Sequence, residues 1–424
     1  MKNMFTCSRY DRIRSFHYFI TLWILLVLNS ANPLAGQQDV YMKIRSRGFQ
    51  PIPILIQPFS SESGTAIAEN AQAILISDLE FSGYFRLILD EKLSFLAHAK
   101  IEGEVGWLRD SLVFKCRILE MPGRNAMLDR SYFGLETDEE RPVHHAANDV
   151  ILTLTGEQGL ALTQIAFVSQ RGPAREIMIM NYDGKYPRQI THNDSINLAP
   201  AWSQDAGRLI FTSFASGNPD LMIYDMKTKS FRIVNRHRGL HTSPAWAPDG
   251  KAIVYAKTVS GNTDLYMMDN NTSRRLTVSA AIDCAPTWSP DGSEIAFVSD
   301  RSGSPQVYMM DAQGGNVRRL THHGSYNDSP TWSPKGDMIA YVTREKYGFQ
   351  INIMDVSGGN TYSVTREYAN HEDPSWSPDG MYLAYASDKT GQWDIYITSW
   401  DGKRTRRLTT SGGNISPAWS PMIN

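Results

Sequence analysis

Tryptophan recurs at a nearly constant spacing through the C-terminal part of this 424-residue chain. Successive copies are separated by 44, 42, 44, 44 and 43 residues, and each lies two residues after a proline. One module is therefore repeated six times. The six copies are Trp202, Trp246, Trp288, Trp332, Trp376 and Trp419.

Each repeat contains four short runs that are typical of strands, and the third copy shows them clearly. A period of about 40 to 45 residues with four strands suits a propeller blade, because one such sheet must stack against neighbours to bury both faces. In Trp288-Ser289-Pro290-Asp291-Gly292, proline, aspartate and glycine favour a hairpin turn, and we interpret the aspartate as a turn residue rather than a calcium ligand. The sequence predicts a mainly β protein with a six-bladed β-propeller over residues 159–424.

The repeats begin out of phase. Ile165-Ala166-Phe167 has no Pro-x-Trp before it, whereas Trp419 is followed by five residues and no second run. One blade is therefore expected to combine strands from both ends of the array. In this interpretation Pro417-Ala418-Trp419 completes the sheet that begins at Ile165, and the ring has no open edge.

The N-terminus has the pattern of an export signal. Arg12 and Arg14 precede an apolar run from Phe19 to Leu28, and small residues follow at Ala35 and Gly36. A run of this length is short for a membrane span, so residues 1–36 are predicted to be a signal peptide. An uncleaved anchor is the alternative.

Charge and cysteine content exclude two classes of protein. The formal net charge of −2 offers no basic excess, so a nucleic-acid partner is not expected. Cys116 and Cys284 fall in different predicted domains, so a disulfide framework is not indicated.

Residues 37–158 lack the repeat and are predicted to form a small N-terminal α/β domain. Its expected elements are a buried strand over Pro53 to Phe59, a helix over 65–80, strands over 111–120 and 126–135, and a second helix near 143–154.

The loops that join each outer strand to the next inner strand emerge on one face of the predicted ring, which we call the mouth. They carry six of the ten histidines together with several carboxylates, and the histidines predict pH-dependent binding. The residue three positions before each proline is polar in every copy, so these residues are expected to surround the axial opening and contact a protein surface. The alternative is that these residues are polar only because exposed loops usually are, and that they form no binding site. The predicted ring is Asn197, His241, Asp283, Asn327, His371 and Asn414, with Thr242, Asp328, Glu372 and Asp373 in the same predicted site.

A second candidate surface follows the signal, over residues 37–48. Apolar and polar side chains alternate there, so the segment is able to add as a strand to the sheet edge of a partner. An ordinary first strand of the α/β domain is the alternative. The residues are Asp39, Val40, Tyr41, Met42, Lys43 and Ile44.

These motifs together resemble the TolB family of the Tol-Pal system in Gram-negative bacteria. The similar features are an exported chain, an α/β domain and repeats of Pro-x-Trp-Ser-Pro-Asp-Gly, Ile-Ala-Phe-x-Ser, Ile-Tyr-x-Met-Asp and Arg-x-Leu-Thr. The resemblance implies a periplasmic, non-enzymatic and monomeric binding protein without a cofactor, although a calcium ion in the channel is conceivable. It implies that the mouth binds the lipoprotein Pal, which places the protein peripherally at the outer membrane, and that the arm over 37–48 binds TolA. Such proteins support outer-membrane integrity and envelope constriction during division.

Two further functions stay open at the mouth. A lyase or metal-dependent enzyme would use His241, His371, Asp283 and Glu372 as ligands or acid–base groups. A glycan-binding module would use Tyr326 and Tyr368 for stacking. A peptidase of the prolyl-oligopeptidase type is not expected, because the sequence has no Gly-x-Ser-x-Gly.

Overall fold

The structure is a computed structural model, and it describes residues 50–135, 138–235, 239–270 and 272–423. The predicted signal peptide and the predicted arm over 37–48 lie outside the described residues. From Pro51 onward the chain forms one compact unit, which contains an α/β region and a propeller.

The α/β region is built on a five-stranded sheet of β1 (Ile52–Ile56), β2 (Phe85–Ile88), β3 (Ala99–Leu108), β4 (Ser111–Glu120) and β5 (Ala126–Leu135). The order across the sheet is β2-β1-β3-β4-β5, with β1 parallel to both of its neighbours. The predicted strands over 111–120 and 126–135 are confirmed. The predicted strand over 53–59 ends earlier, at Ile56, because Pro58 has no N–H to continue the ladder.

The described residues of this region contain two α-helices, α1 (Thr65–Ser82) and α2 (Arg141–Thr155), and a 3-10 helix over Glu91–Leu96. Ala71, Leu75 and Leu79 recur at helical spacing and form a buried stripe on α1. Both α-helices end at a glycine in the left-handed conformation, Gly83 and Gly156. The helix predicted over 65–80 extends to Ser82.

The described part of the propeller consists of six four-stranded antiparallel sheets. The chain enters through β6 (Gln164–Arg171), β7 (Ala174–Asn181) and β8 (Arg188–Gln189), which belong to blade 6. Blade 1 is β9 (Asn197–Trp202), β10 (Arg208–Ser213), β11 (Asp220–Asp225) and β12 (Ser230–Asn235). Blade 2 is β13 (His241–Trp246), β14 (Ile253–Val259), β15 (Asn262–Asp269) and β16 (Thr272–Arg275).

The remaining blades repeat this arrangement. Blade 3 is β17 (Asp283–Trp288), β18 (Glu294–Ser299), β19 (Gln306–Asp311) and β20 (Arg318–Arg319). Blade 4 is β21 (Asn327–Trp332), β22 (Met338–Glu345), β23 (Gly348–Asp355) and β24 (Thr361–Ser363). Blade 5 is β25 (His371–Trp376), β26 (Tyr382–Ser387), β27 (Asp394–Ser399) and β28 (Thr405–Arg407), and β29 (Asn414–Trp419) belongs to blade 6.

The ring is closed by pairing between the two ends of the repeat array. β29 pairs antiparallel with β6, so that Trp419 lies opposite Ile165 and Asn414 lies opposite Ser169. This is the pairing that the out-of-phase repeats predict. The inner strands β9, β13, β17, β21, β25 and β29 contact one another in a closed circle.

The repeated tryptophan fills the junction between neighbouring blades. Trp202 of blade 1 is buried against Val168 and Ile177 of blade 6. Its indole N–H donates to the carbonyl oxygen of Ala418 at 3.0 Å, and the N–H of Trp376 donates likewise to Thr331 at 3.2 Å. The tryptophan period therefore reports the stacking of blades, which a single sheet could not satisfy.

The turn after each tryptophan is a hairpin, as predicted, and its aspartate serves that turn. In blade 3 the Ser289 hydroxyl donates to Asp291 at 2.6 Å, and Gly292 has a φ of 72°. A left-handed residue is needed there, which favours glycine over any side chain.

The α/β region packs against the end of the propeller that carries these turns. Phe81 stacks on Tyr382 with ring centroids 4.4 Å apart, and the Tyr382 hydroxyl donates to the carbonyl oxygen of Phe81. Lys335 and Glu157 form an ion pair at 3.4 Å. The mouth is the opposite end, where the inner strands begin.

Candidate binding site at the propeller mouth

Each inner strand begins with the same pattern of exposure. Its first residue is buried, its second and third are half-buried, and the proline in fourth position is buried. The third residue has a φ between 47° and 53° in all six strands, and the pairing with the second strand shifts register there. The second and third side chains of each inner strand are therefore half-buried beside this bulge, at the inner edge of the blade.

The prediction that the six polar residues of the ring are exposed is wrong. The six first-position side chains are 0–1% exposed, so a docked protein surface would not reach them. The three asparagines and His241 contact the preceding blade, whereas Asp283 and His371 contact residues of their own blade. The residues concerned are Asn197, His241, Asp283, Asn327, His371 and Asn414.

Three of these positions hold an asparagine that joins two blades, an arrangement we call the interblade latch. The Asn327 amide donates at 2.8 Å both to Gln306 on the third strand of blade 3 and to the carbonyl oxygen of His323. Asn414 donates in the same way to Asp394 at 3.0 Å. Because these polar partners are buried too, the latch satisfies groups that would otherwise be costly to desolvate.

Asp283 is buried but paired. Both of its carboxylate oxygens accept from one guanidinium nitrogen of Arg301 at 3.0 Å, and that guanidinium also lies over the rings of Phe297 and Tyr308. Asp283 is therefore a structural ion pair and not a free acid–base group.

The two ring histidines are also structural. His241 lies 3.3 Å from the carbonyl oxygen of Pro219, with its ring near that of Tyr255. His371 lies edge-on to Tyr385, and burial lowers its pKa to about 4. His371 is therefore neutral across the range from pH 5.5 to 8, so it is not one of the groups that could make binding depend on pH there.

The channel itself is lined by the second and third residues of the inner strands, among them Thr242 and three carboxylates from blades 4 and 5. Asp328 accepts from the Tyr326 hydroxyl at 2.7 Å, and Asp373 accepts from the Ser416 hydroxyl at 2.7 Å. Glu372 makes neither a hydrogen bond nor an ion pair with any described residue.

The carboxylates of the channel disfavour one another's charge. Burial raises the pKa of Glu372 to about 7, with further contributions from Asp373, Asp388 and Asp328. Burial also raises the pKa of Asp373, against the hydrogen bond from Ser416. The channel therefore holds more negative charge than its own donors neutralise.

An apolar rim surrounds this acidic channel. Val278 and Tyr368 are 81% and 79% exposed. Each member of the rim lies in a loop or hairpin at the mouth. They are Ile196, Leu240, Val259, Val278, Ile282, Tyr347 and Tyr368.

The mouth shows little support for the alternative chemistry. Within the described ranges, no group of three or more histidine, cysteine, aspartate or glutamate side chains is placed to hold a metal ion. Of the four residues suggested as ligands or acid–base groups, Asp283, His241 and His371 are fully buried, and only Glu372 is partly exposed.

Two family models match the chain. The TolB beta propeller domain matches residues 152–423, and the TolB amino-terminal domain matches residues 40–104. In the part of the chain that the structure describes, there is no helix long and apolar enough to cross a membrane.

Individual relatives agree with these models. The Tol-Pal system protein TolB of Desulfosudis oleivorans is 33% identical over 214 residues, which are 44% of this chain and 48% of that protein. The Tol-Pal system protein TolB of Nitrosomonas europaea is 31% identical over 223 residues, which are 49% of this chain and 51% of that protein. The chain thus spans about half the length of the curated relatives it matches.

A solved structure extends the similarity over most of the fold. The crystal structure of TolB from Acinetobacter baumannii superposes with a TM-score of 0.77 and 26% identity, covering 88% of this chain and 97% of that one. Because the propeller model alone matches well over half of the sequence, this chain belongs to the TolB family.

Proposed function

We propose that this chain is a non-enzymatic periplasmic component of the Tol-Pal system, that its mouth binds the lipoprotein Pal, and that its arm over residues 37–48 binds TolA. Through these two contacts it would support outer-membrane integrity and envelope constriction during division. The observation that carries the proposal is the exposed apolar rim around an acidic channel, on the end of the propeller that the α/β region leaves to solvent.

The composition of the mouth favours a protein partner over a small substrate. Large exposed apolar patches on soluble proteins mark interaction surfaces, and tyrosine is enriched among the residues that contribute most to binding. Tyr347 and Tyr368 stand on neighbouring loops with ring centroids 4.0 Å apart, so they present one continuous aromatic surface.

The residues proposed to contact Pal are therefore fewer than the sequence alone suggested. Thr242, Asp328, Glu372 and Asp373 stay in the proposed site because they lie at the half-buried, channel-facing positions. The six buried first-position residues are left out of it.

Calorimetric titration of the chain with the soluble domain of Pal tests the site. Tyr368→Ala and Val278→Ser are each expected to weaken binding by about 1–2 kcal/mol, the usual range for interface truncations. Tyr362→Ala is the matched control, because Tyr362 is 52% exposed but lies on the outer strand of blade 4. Unchanged affinity in both mouth variants would reject this placement.

The proposed TolA contact is supported by family membership, since the amino-terminal family model begins at residue 40, inside the arm. Deletion of residues 37–48 is expected to abolish capture of TolA from envelope extracts while Pal binding and folding stay intact. Retained TolA capture by the deleted chain would refute the assignment.

A further inference from the structure

Two pairs of aromatic side chains lie at the mouth end of blades 4 and 5, and we call these four residues the aromatic ledge. Tyr326 packs against Phe349 with ring centroids 5.5 Å apart, and Tyr347 packs against Tyr368 at 4.0 Å. Phe349 and Tyr347 belong to the same β22–β23 hairpin, which joins the two pairs. The outer pair is exposed and the inner pair is half-buried.

The inner end of the ledge meets the carboxylates of the channel. The Tyr326 hydroxyl is bonded to Asp328, and the negative charge of Glu372 raises the pKa of Tyr326 further after burial and the Asp328 contacts. Glu372 holds on β25 the second position that Asp328 holds on β21, and these two inner strands contact each other. A ligand lying on the ledge would have an aromatic face beneath it and carboxylate oxygens at its inner end.

The cations of the chain near the ledge form no ion pair with the channel carboxylates among the described residues. Arg344, whose backbone pairs with Phe349, is exposed. Lys389 pairs with Glu367 at 3.4 Å and lies over the ring of Tyr396 at 4.6 Å. Lys346 lies over the ring of Tyr347 at 5.2 Å. Glu372 has no such partner among the described residues, and a half-buried carboxylate without one is costly to keep charged.

The corresponding region of blade 3 shows how this fold neutralises a carboxylate. There Asp283 is bound by Arg301, whose guanidinium lies over two aromatic rings. The same combination of carboxylate and aromatic face exists at the ledge, but within the described chain no arginine forms an ion pair with Asp328, Glu372 or Asp373. A planar cation supplied by another molecule would complete the arrangement.

We propose that the aromatic ledge and the channel carboxylates Asp328, Glu372 and Asp373 receive an arginine side chain from a loop of the partner protein. This inference rests on the proposed function, in which the mouth binds a protein. Arginine fits better than lysine, because its planar guanidinium stacks on tyrosine rings and its fork of donors matches a carboxylate. The apolar rim would bury the rest of the loop.

The probe for this inference is N-acetyl-L-argininamide, followed by ligand-observed NMR on the purified chain. Its neutral control is N-acetyl-L-citrullinamide, which replaces the guanidinium by a urea of nearly the same shape. The arginine compound is expected to bind in the millimolar range and the citrulline compound at least about tenfold more weakly, the ratio expected for losing a charge-assisted hydrogen bond.

Variants of the chain locate the binding. Glu372→Gln combined with Asp373→Asn is expected to weaken arginine binding at least about tenfold. The matched control, Glu294→Gln combined with Asp401→Asn, removes two carboxylates at the opposite end and is expected to leave binding unchanged. Equal binding of the two compounds, or unchanged binding in the mouth variant, would overturn the inference. If Pal binds while the arginine compound does not, only this inference fails, whereas a mouth that does not bind Pal removes the proposed function.

Discussion

At the end of the propeller that the α/β region covers, the carboxylate of Asp78 is bonded to two partners, whereas at the mouth that of Glu372 has none among the described residues. Asp78 contacts His144 at 2.7 Å and accepts from the Tyr182 hydroxyl, which joins α1 and α2 to the propeller. Aromatic rings follow the same division, because Tyr382, stacked on Phe81, is 3% exposed, whereas Tyr368, packed on Tyr347, is 79% exposed.

The difference separates polar groups whose partners lie within the chain from polar groups that have no such partner among the described residues. Buried polar groups with internal partners maintain the fold, and their loss should be measured as lost stability. Groups that stay unpaired beside exposed aromatic side chains gain their partners only from another molecule, so their loss should be measured as lost affinity. Each prediction below tests one side of this comparison.

Asp78→Ala should have the largest effect. It removes the nearer of the two carboxylates that contact buried His144 and leaves only Glu140, 3.6 Å away. Breaking a buried pair of this kind costs about 3 kcal/mol of unfolding free energy. Urea denaturation measures the loss, with Glu69→Ala, an exposed position on the same helix, as a control that should change stability by less than about 0.5 kcal/mol. Equal losses in both variants would contradict the role of Asp78 at this interface.

Stability should also fall at alkaline pH through His144. Burial opposes the charged form, but hydrogen bonds to Asp78 and Glu140 outweigh it and raise the pKa of His144 to about 9. The folded chain thus keeps a proton that the unfolded chain releases near pH 6.5, so this stabilisation is full below pH 6.5 and lost as pH rises through 9. We expect a loss of about 2 kcal/mol between pH 6 and 9.5, and a clearly smaller slope in His144→Gln.

Asn327→Ala separates the interblade latch from the binding site. Removing the amide takes from the buried Gln306 oxygen one of its two donors, the other being the Thr321 hydroxyl, and also removes the bond to the carbonyl oxygen of His323. The unfolding free energy should therefore fall by about 1–2 kcal/mol. Affinity for the soluble domain of Pal, measured by calorimetry on the folded variant, should stay the same. Weaker Pal binding with unchanged stability would show that Asn327 belongs to the binding surface and not to the latch.

Sequence reasoning found the elements that repeat. Six tryptophans and their turns encode local structure, so the blade number, the closure by β29 and the hairpins could be predicted from spacing alone. It could not orient Asn197 or Asn414, because a polar residue at the start of a strand looks the same whether it faces solvent or the next blade. The available signal was a second polar series, seen at Gln306 and Asp394, that begins the third strand of the preceding blade.

The rim was missed for the opposite reason. Tyr368 and Val278 each lie in one loop, and the equivalent positions of the other loops hold different residues. A search for repeated residues therefore does not find them. Their exposure is a property of the folded ring, where the strands pack on neighbouring strands and the loop tips extend beyond the packed core into solvent.

Glu372→Gln should give the smallest change, and one of opposite sign. The folded chain holds the Glu372 proton up to about pH 7, whereas the unfolded chain releases it near 4.5, so the charged carboxylate makes folding less favourable as pH rises through this range. The neutral glutamine should therefore raise unfolding free energy by about 1 kcal/mol at pH 8 and by much less at pH 4.5. Urea denaturation of both chains at the two pH values measures this difference. A variant that is less stable than the parent at pH 8 would show that Glu372 already has a partner within the chain, and the contrast between the paired end and the unpaired mouth would then be lost.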